Sequence, residues 1–158
     1  MWLAILEKLN TKELLWKKGL LNEDQIRCTF YSDQAENFNH VLMACSVSWN
    51  IWCTMAKDLN QALSMPDTFR KHYEDWMGRK WRNVVMKKLW CSTFFAVAWS
   101  LWLMRNEIIF QQKQLDVQVL CSLIRWRVAL WTKAWKDQLP YSVNDLARKF
   151  DAIPVLFP

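Results

Sequence analysis

Three residues of this 158-residue chain have types and spacing that could hold a metal: Cys28, His40 and Cys45. Structural zinc takes four ligands at tetrahedral angles, thiolate and imidazole above all, and proteins supply them as two pairs, each close in sequence. His40 and Cys45 form one such pair, with four residues between them. Cys28 opens the other, but its companion three residues on is Tyr31, giving Cys-x2-Tyr-x8-His-x4-Cys. A neutral phenol is no structural ligand, and removing a proton of pKa about 10 costs too much at neutral pH. Asp33 or Glu36, in the same loop, can offer a carboxylate oxygen, and water is another occupant of the fourth place. Cys53 is a poor substitute. It follows Cys45 by eight residues on one helix, about 12 Å of rise, whereas two sulfurs on one zinc lie within about 4 Å of each other. With a ligand short, the expectation is weak zinc binding or none. In the competing reading Cys45 is a small buried hydrophobe and His40 sits at a helix terminus.

A second constellation is Arg125-Trp126-Arg127, followed by Trp131, Lys133, Trp135 and Lys136. Single-stranded nucleic-acid surfaces mix cations and indoles in this way, phosphates pairing with the charges and bases stacking on the rings. Arg125, Trp126, Arg127 and Lys133 are therefore candidate nucleic-acid contacts. Tryptophans at five- and four-residue steps on one helix equally suit a core or a partner-facing stripe. Arg105-Asn106 would place a cation near the last carbonyls of an apolar helix. His72, beside Arg70 and Lys71, is expected in a solvated loop, and Cys53, Cys91 and Cys121 as core thiols without a redox role. No complete catalytic motif is present, so the chain is expected not to be an enzyme.

Helices must position these groups. Thr11 can cap a short helix, KELLWKK, that Gly19 stops. A polar, irregular stretch over 20–37 holds Cys28 and Tyr31. From about Phe38, Leu42, Cys45, Trp49, Trp52, Ala56 and Leu59 recur at three- and four-residue steps as one apolar stripe, closed by Met65-Pro66. A connector to Gly78 leads into a long helix over about 81–110 whose middle is apolar all round, the mark of a central element. Another helix is expected over about 116–138, then a capping box at Ser142–Asp145 opening a last short helix to about Phe150, then a loose tail over 153–158. The expected fold is mostly α: an irregular helical bundle with one long central helix and a small loop–helix, zinc-knuckle-like segment.

Composition agrees. The chain is 53% hydrophobic, which excludes simple disorder. Two glycines and four prolines leave little turn chemistry for a many-stranded sheet, and twelve tryptophans demand burial or a partner surface. A net charge of +6 suits an anionic partner. Five cysteines, an odd number, do not form a secreted disulfide framework. Glu7 and Lys8 interrupt the apolar start too early for a signal peptide. The expectation is an intracellular protein, nuclear or cytoplasmic. The uncharged run 89–104 falls short of the about 20 residues of a membrane span, so a buried helix is preferred to a transmembrane one.

The motifs in their order resemble the reverse-transcriptase zinc-binding domain found at the C-terminal end of plant LINE-type (non-LTR) retrotransposon polyproteins. WLAILEKLNT at Trp2–Thr11, HVLMAC at His40–Cys45, Trp49 and Trp52, and LWLMRNEIIF at Leu101–Phe110 carry the resemblance. IRWRVALWTKAW and YSVNDLARKF are similar to the tail that often follows that domain. The resemblance implies a zinc-binding-like domain at 1–110, truncated at its N-terminus, and a C-terminal helical tail at 111–158. It makes Cys28, His40 and Cys45 metal ligands, with Tyr31 where the family has a second cysteine, and RNA or single-stranded DNA the partner. On this basis the chain is a degenerate, non-catalytic fragment, retained by a host or decaying. Two other readings compete: a helical protein-interaction module, which includes self-association, and a membrane-associated peptide held through 89–104.

Overall fold

The uncharged run around 89–104 becomes the axis of the molecule because other elements cover it on several sides. In the computed structural model the described residues are 9–30, 32–136 and 139–158, without the side chains of residues 32 and 33. Helix α1 spans Lys12–Lys17, its first turn capped by the Thr11 hydroxyl and its end released by Gly19 at φ +71°. A two-stranded antiparallel ribbon follows, β1 at Arg27–Cys28 and β2 at Ser32–Ala35. Arg27 faces Ala35 and Cys28 faces Ser32, with a bulge between Arg27 and Cys28. A five-residue π-helical turn, His40–Ala44, leads into α2 at Ser46–Asp58. Helices α3 at Phe69–Met77, α4 at Val84–Gln111 and α5 at Val117–Trp131 come next. The chain closes with α6 at Val143–Arg148 and α7 at Ile153–Leu156.

Asn83 starts α4 by accepting from the Val85 and Met86 amides. Twelve side chains of this helix are buried, and α2, α3, α5 and the π turn all pack on it, which explains an apolar surface on every side. It is long and apolar enough to cross a membrane, yet a little over half of its most apolar stretch is already buried inside the protein. One apolar core runs from Phe30 to Ile153.

The connector expected up to Gly78 is in part a helix. Thr68 caps α3 by accepting from the Lys71 amide, and Phe69, His72 and Trp76 face inward at helical steps. Trp76 then stacks on Trp90 of α4 at 3.8 Å, and each indole N–H donates to the other residue's carbonyl, at 2.9 and 2.8 Å. His72 is accordingly no solvated loop residue: it is buried among rings. The tail is not loose either. Ile153 is fully buried, α7 covers 153–156, and Phe157 meets Tyr141 edge-on at 6.0 Å. Helix α5 ends at Trp131, seven residues before its expected limit, in a 3-10 turn at Thr132–Ala134.

Candidate metal centre

Cys28, His40 and Cys45 reach one point from three elements. Cys28 ends β1, His40 opens the π turn and Cys45 is the N-terminal cap residue of α2. One donor atom from each lies within 4.8 Å of the others. On an α-helix five residues are about one and a half turns, which would carry His40 and Cys45 toward different faces. The π turn removes that obstacle, because the Cys45 amide bonds to the His40 carbonyl five residues back at 2.8 Å.

The sequence after Cys45 holds this turn in place. The chain leaves helical geometry at Cys45 (φ −60°, ψ 136°), so the carbonyls just before it need other donors. Ser48 donates its hydroxyl to the Val41 carbonyl at 2.7 Å, and the Trp52 indole donates to the Leu42 carbonyl at 2.7 Å. Ahead of the turn, the Asn37 side chain accepts from the His40 amide at 2.8 Å, and Asn39 accepts from the Phe69 amide at 2.7 Å. Those bonds tie the turn to β2 and to α3.

The donor set fits zinc. Two sulfurs, each about 2.3 Å from one tetrahedral ion, stand about 3.8 Å apart, and the Cys28 and Cys45 sulfurs are separated by 3.8 Å. That distance is far beyond a disulfide bond of about 2.05 Å. His40 is 4% exposed, and its Nε2 is buried without a hydrogen-bond partner, a cost that a ligand would remove. Cys45 is lowered from the usual thiol range to about 6, first by the hydrogen bond with Cys28 and then by the Val47 and Ser48 groups at the start of α2, against the opposing effect of burial. Metal-binding thiols must lose their protons, and the lowered pKa of Cys45 favours that loss. When bound, zinc would be held by Cys28, His40 and Cys45 and would clamp the ribbon to the head of α2.

The fourth position does not fall to Glu36, which is fully buried and already engaged. Its Oε1 accepts from Arg105 at 2.7 and 3.0 Å and from the Lys12 amide at 3.1 Å. Its Oε2 accepts from the Thr29 amide and hydroxyl. Arg105, expected at a helix end, is instead buried six residues before it, with its guanidinium 4.9 Å over the Trp102 ring and an Nη2 donating to the Asn10 carbonyl at 3.3 Å. This ion pair, joining residues 69 apart, docks the segment that carries the three donors on α4. Tyr31 and the side chain of Asp33 lie outside the described residues.

The nucleic-acid candidates are only partly free. Arg125 pairs with Asp58 of α2 at 2.8 Å, and Arg127 donates to the Ser100 hydroxyl of α4. Trp126 and Lys133 are exposed, Lys133 donating to the Tyr141 carbonyl at 3.1 Å. Trp131 and Trp135 pack on the core. A cation-rich segment that spacing did not single out lies where α3 passes into α4: exposed Lys80, Arg82 and Lys87 have no acidic partner among the described residues, and half-buried Trp81 sits among them. The signal for it was charge patterning, since no Asp or Glu occurs between Asp75 and Glu107. Cys53, Cys91 and Cys121 are pushed up by burial, as core thiols are.

A family model described as zinc-binding in reverse transcriptase matches residues 1–52 of the 158, a segment that contains all three donors and Trp52. No curated protein and no solved structure matches the chain.

Proposed function

We propose that this chain is a non-catalytic, zinc-binding and nucleic-acid-binding module of the kind attached to the C-terminal end of plant LINE-type (non-LTR) reverse transcriptases. The convergence of the Cys28, His40 and Cys45 donors carries this reading, and the family match over the same residues supports it. Zinc would supply no chemistry in this role; held by Cys28, His40 and Cys45 with the fourth place left to water, it would fix the ribbon and the π turn against α2.

Contact with RNA or single-stranded DNA rests on the +6 charge of the chain and on Lys80, Arg82 and Lys87, whose cations are open to phosphate. Trp81, half-buried among them, is the aromatic neighbour on which a base would stack. Arg125 and Arg127 serve to hold α5 against α2 and α4. The test measures binding of the full chain to a single-stranded RNA across salt concentrations. Three phosphate contacts give log affinity against log salt a slope of about −2, from about −0.7 per phosphate. A triple Lys80→Gln, Arg82→Gln, Lys87→Gln variant is expected to flatten that slope. No binding at low salt would remove the nucleic-acid role, while leaving the metal centre to be judged by its own measurement.

A further inference from the structure

No exposed residue of α5 carries a charge. Its solvent face is an apolar stripe, Val119, Leu123, Trp126 and Leu130, exposed by 61%, 39%, 43% and 40%. Nucleic acid is a poor occupant of such a face, because the two arginines of this helix are turned into the protein. Apolar residues at steps of four, three and four line up along about 16 Å of one helix side, as a surface awaiting another helix does.

The order of these steps is the same read in either direction, so the stripe complements itself when a second α5 lies antiparallel to it. In that register Val119 faces Leu130 and Leu123 faces Trp126, each pair occurring twice about a two-fold axis. The same register sets Asp116, exposed at the start of the helix, opposite Lys133, exposed just beyond its end. Opposite charges placed symmetrically about the midpoint of an apolar stripe are what an isologous contact requires. A foreign partner gives no reason for that symmetry. We infer that α5 is a homodimerisation surface, two copies of this chain pairing antiparallel through Val119, Leu123, Trp126 and Leu130, with Asp116 of each copy against Lys133 of the other. A contact of this size gives a reversible dimer, not an obligate one.

Sedimentation equilibrium on the full chain, from roughly 1 µM to 500 µM, tests the inference. A monomer–dimer equilibrium is expected, and Leu123→Glu and, separately, Leu130→Glu are expected to leave monomers with an unchanged far-ultraviolet circular dichroism melt. Lys133→Glu turns both end pairs repulsive and should weaken the dimer about tenfold. Adding Asp116→Asn, which keeps a helix-capping side chain, should recover much of that loss. A monomer at every concentration overturns the inference, as does a dimer that tolerates both Leu123→Glu and Leu130→Glu. A dimer lost in those variants but indifferent to Lys133→Glu overturns the antiparallel register. A monomer that binds lipid vesicles in a Leu123-dependent way assigns the stripe to a membrane surface instead.

Discussion

His40 and His72 are alike in burial, 4% and 3% exposed, and alike in having a buried Nε2 with no hydrogen-bond partner. Their neighbours make them different. His40 lies with two thiols whose sulfurs are spaced for one tetrahedral ion. His72 lies among Trp49, Trp52, Phe69, Trp76 and Phe94, with ring centroids 4.5 to 6.3 Å away. It also borders a cleft of about 80 Å³, large enough for water to reach it. Burial and an orphaned nitrogen do not make a metal site; soft donors converging on the same point do. The aromatic cage acts on the proton of His72 instead. Burial drives its pKa down to about 4, against the pull of Asp75, which disfavours its protonated form.

The two regions should fail in different ways. The largest effect is expected at the ion pair under the segment that carries Cys28, His40 and Cys45. Arg105→Ala leaves Glu36 charged and buried, which costs about 3–5 kcal/mol in urea unfolding. It should leave the pH response of the His72 cage in place. Zinc removal comes next. At a free zinc concentration about 1,000 times its dissociation constant, linkage adds about 4 kcal/mol to the folded state. A chelator should therefore lower the melting temperature of the native chain and of His72→Phe, but not of His40→Ala.

Acid should distinguish the histidines from the other side. The folded-state pKa of His72 lies below its unfolded value, so the unfolded chain binds more protons between about pH 6.5 and 4. Stability is held above that window and falls by about 3 kcal/mol as the pH drops through it. Urea titrations in chelator should show this loss in the native chain and a shallower one in His72→Phe. The smallest effect concerns the missing ligand. Tyr31→Cys completes the Cys-x2-Cys spacing and should tighten zinc by at least about tenfold, or 1.4 kcal/mol.

Local patterns carried much of this fold in the sequence. The stripe from Leu42 to Leu59, the caps at Thr11 and Ser142 and the all-round apolarity of α4 were legible because each depends on neighbours within a few turns. What depended on distant partners was not. Glu36 has the pattern of a loop carboxylate, but its partner Arg105 lies 69 residues away, and Arg125 and Arg127 have the pattern of phosphate ligands, but Asp58 and Ser100 hold them. Helix α3 is announced by Thr68 and the Phe69, His72 and Trp76 spacing, but Met65-Pro66 and the charged neighbours give the same stretch the pattern of a loop. Within the candidate metal site, residue types and order are visible, but the π turn that brings His40 round to Cys45 has no signature in the spacing alone.

Zinc stoichiometry of the purified chain, beside His40→Ala and His72→Phe variants, decides whether Cys28, His40 and Cys45 form one metal centre. One zinc per chain is expected in the native protein and in His72→Phe, with binding weakened more than about 100-fold in His40→Ala, since even outer partners of a metal site are worth about 10–100-fold. A native chain that takes up no zinc, or a His40→Ala variant that holds it equally well, would contradict that centre.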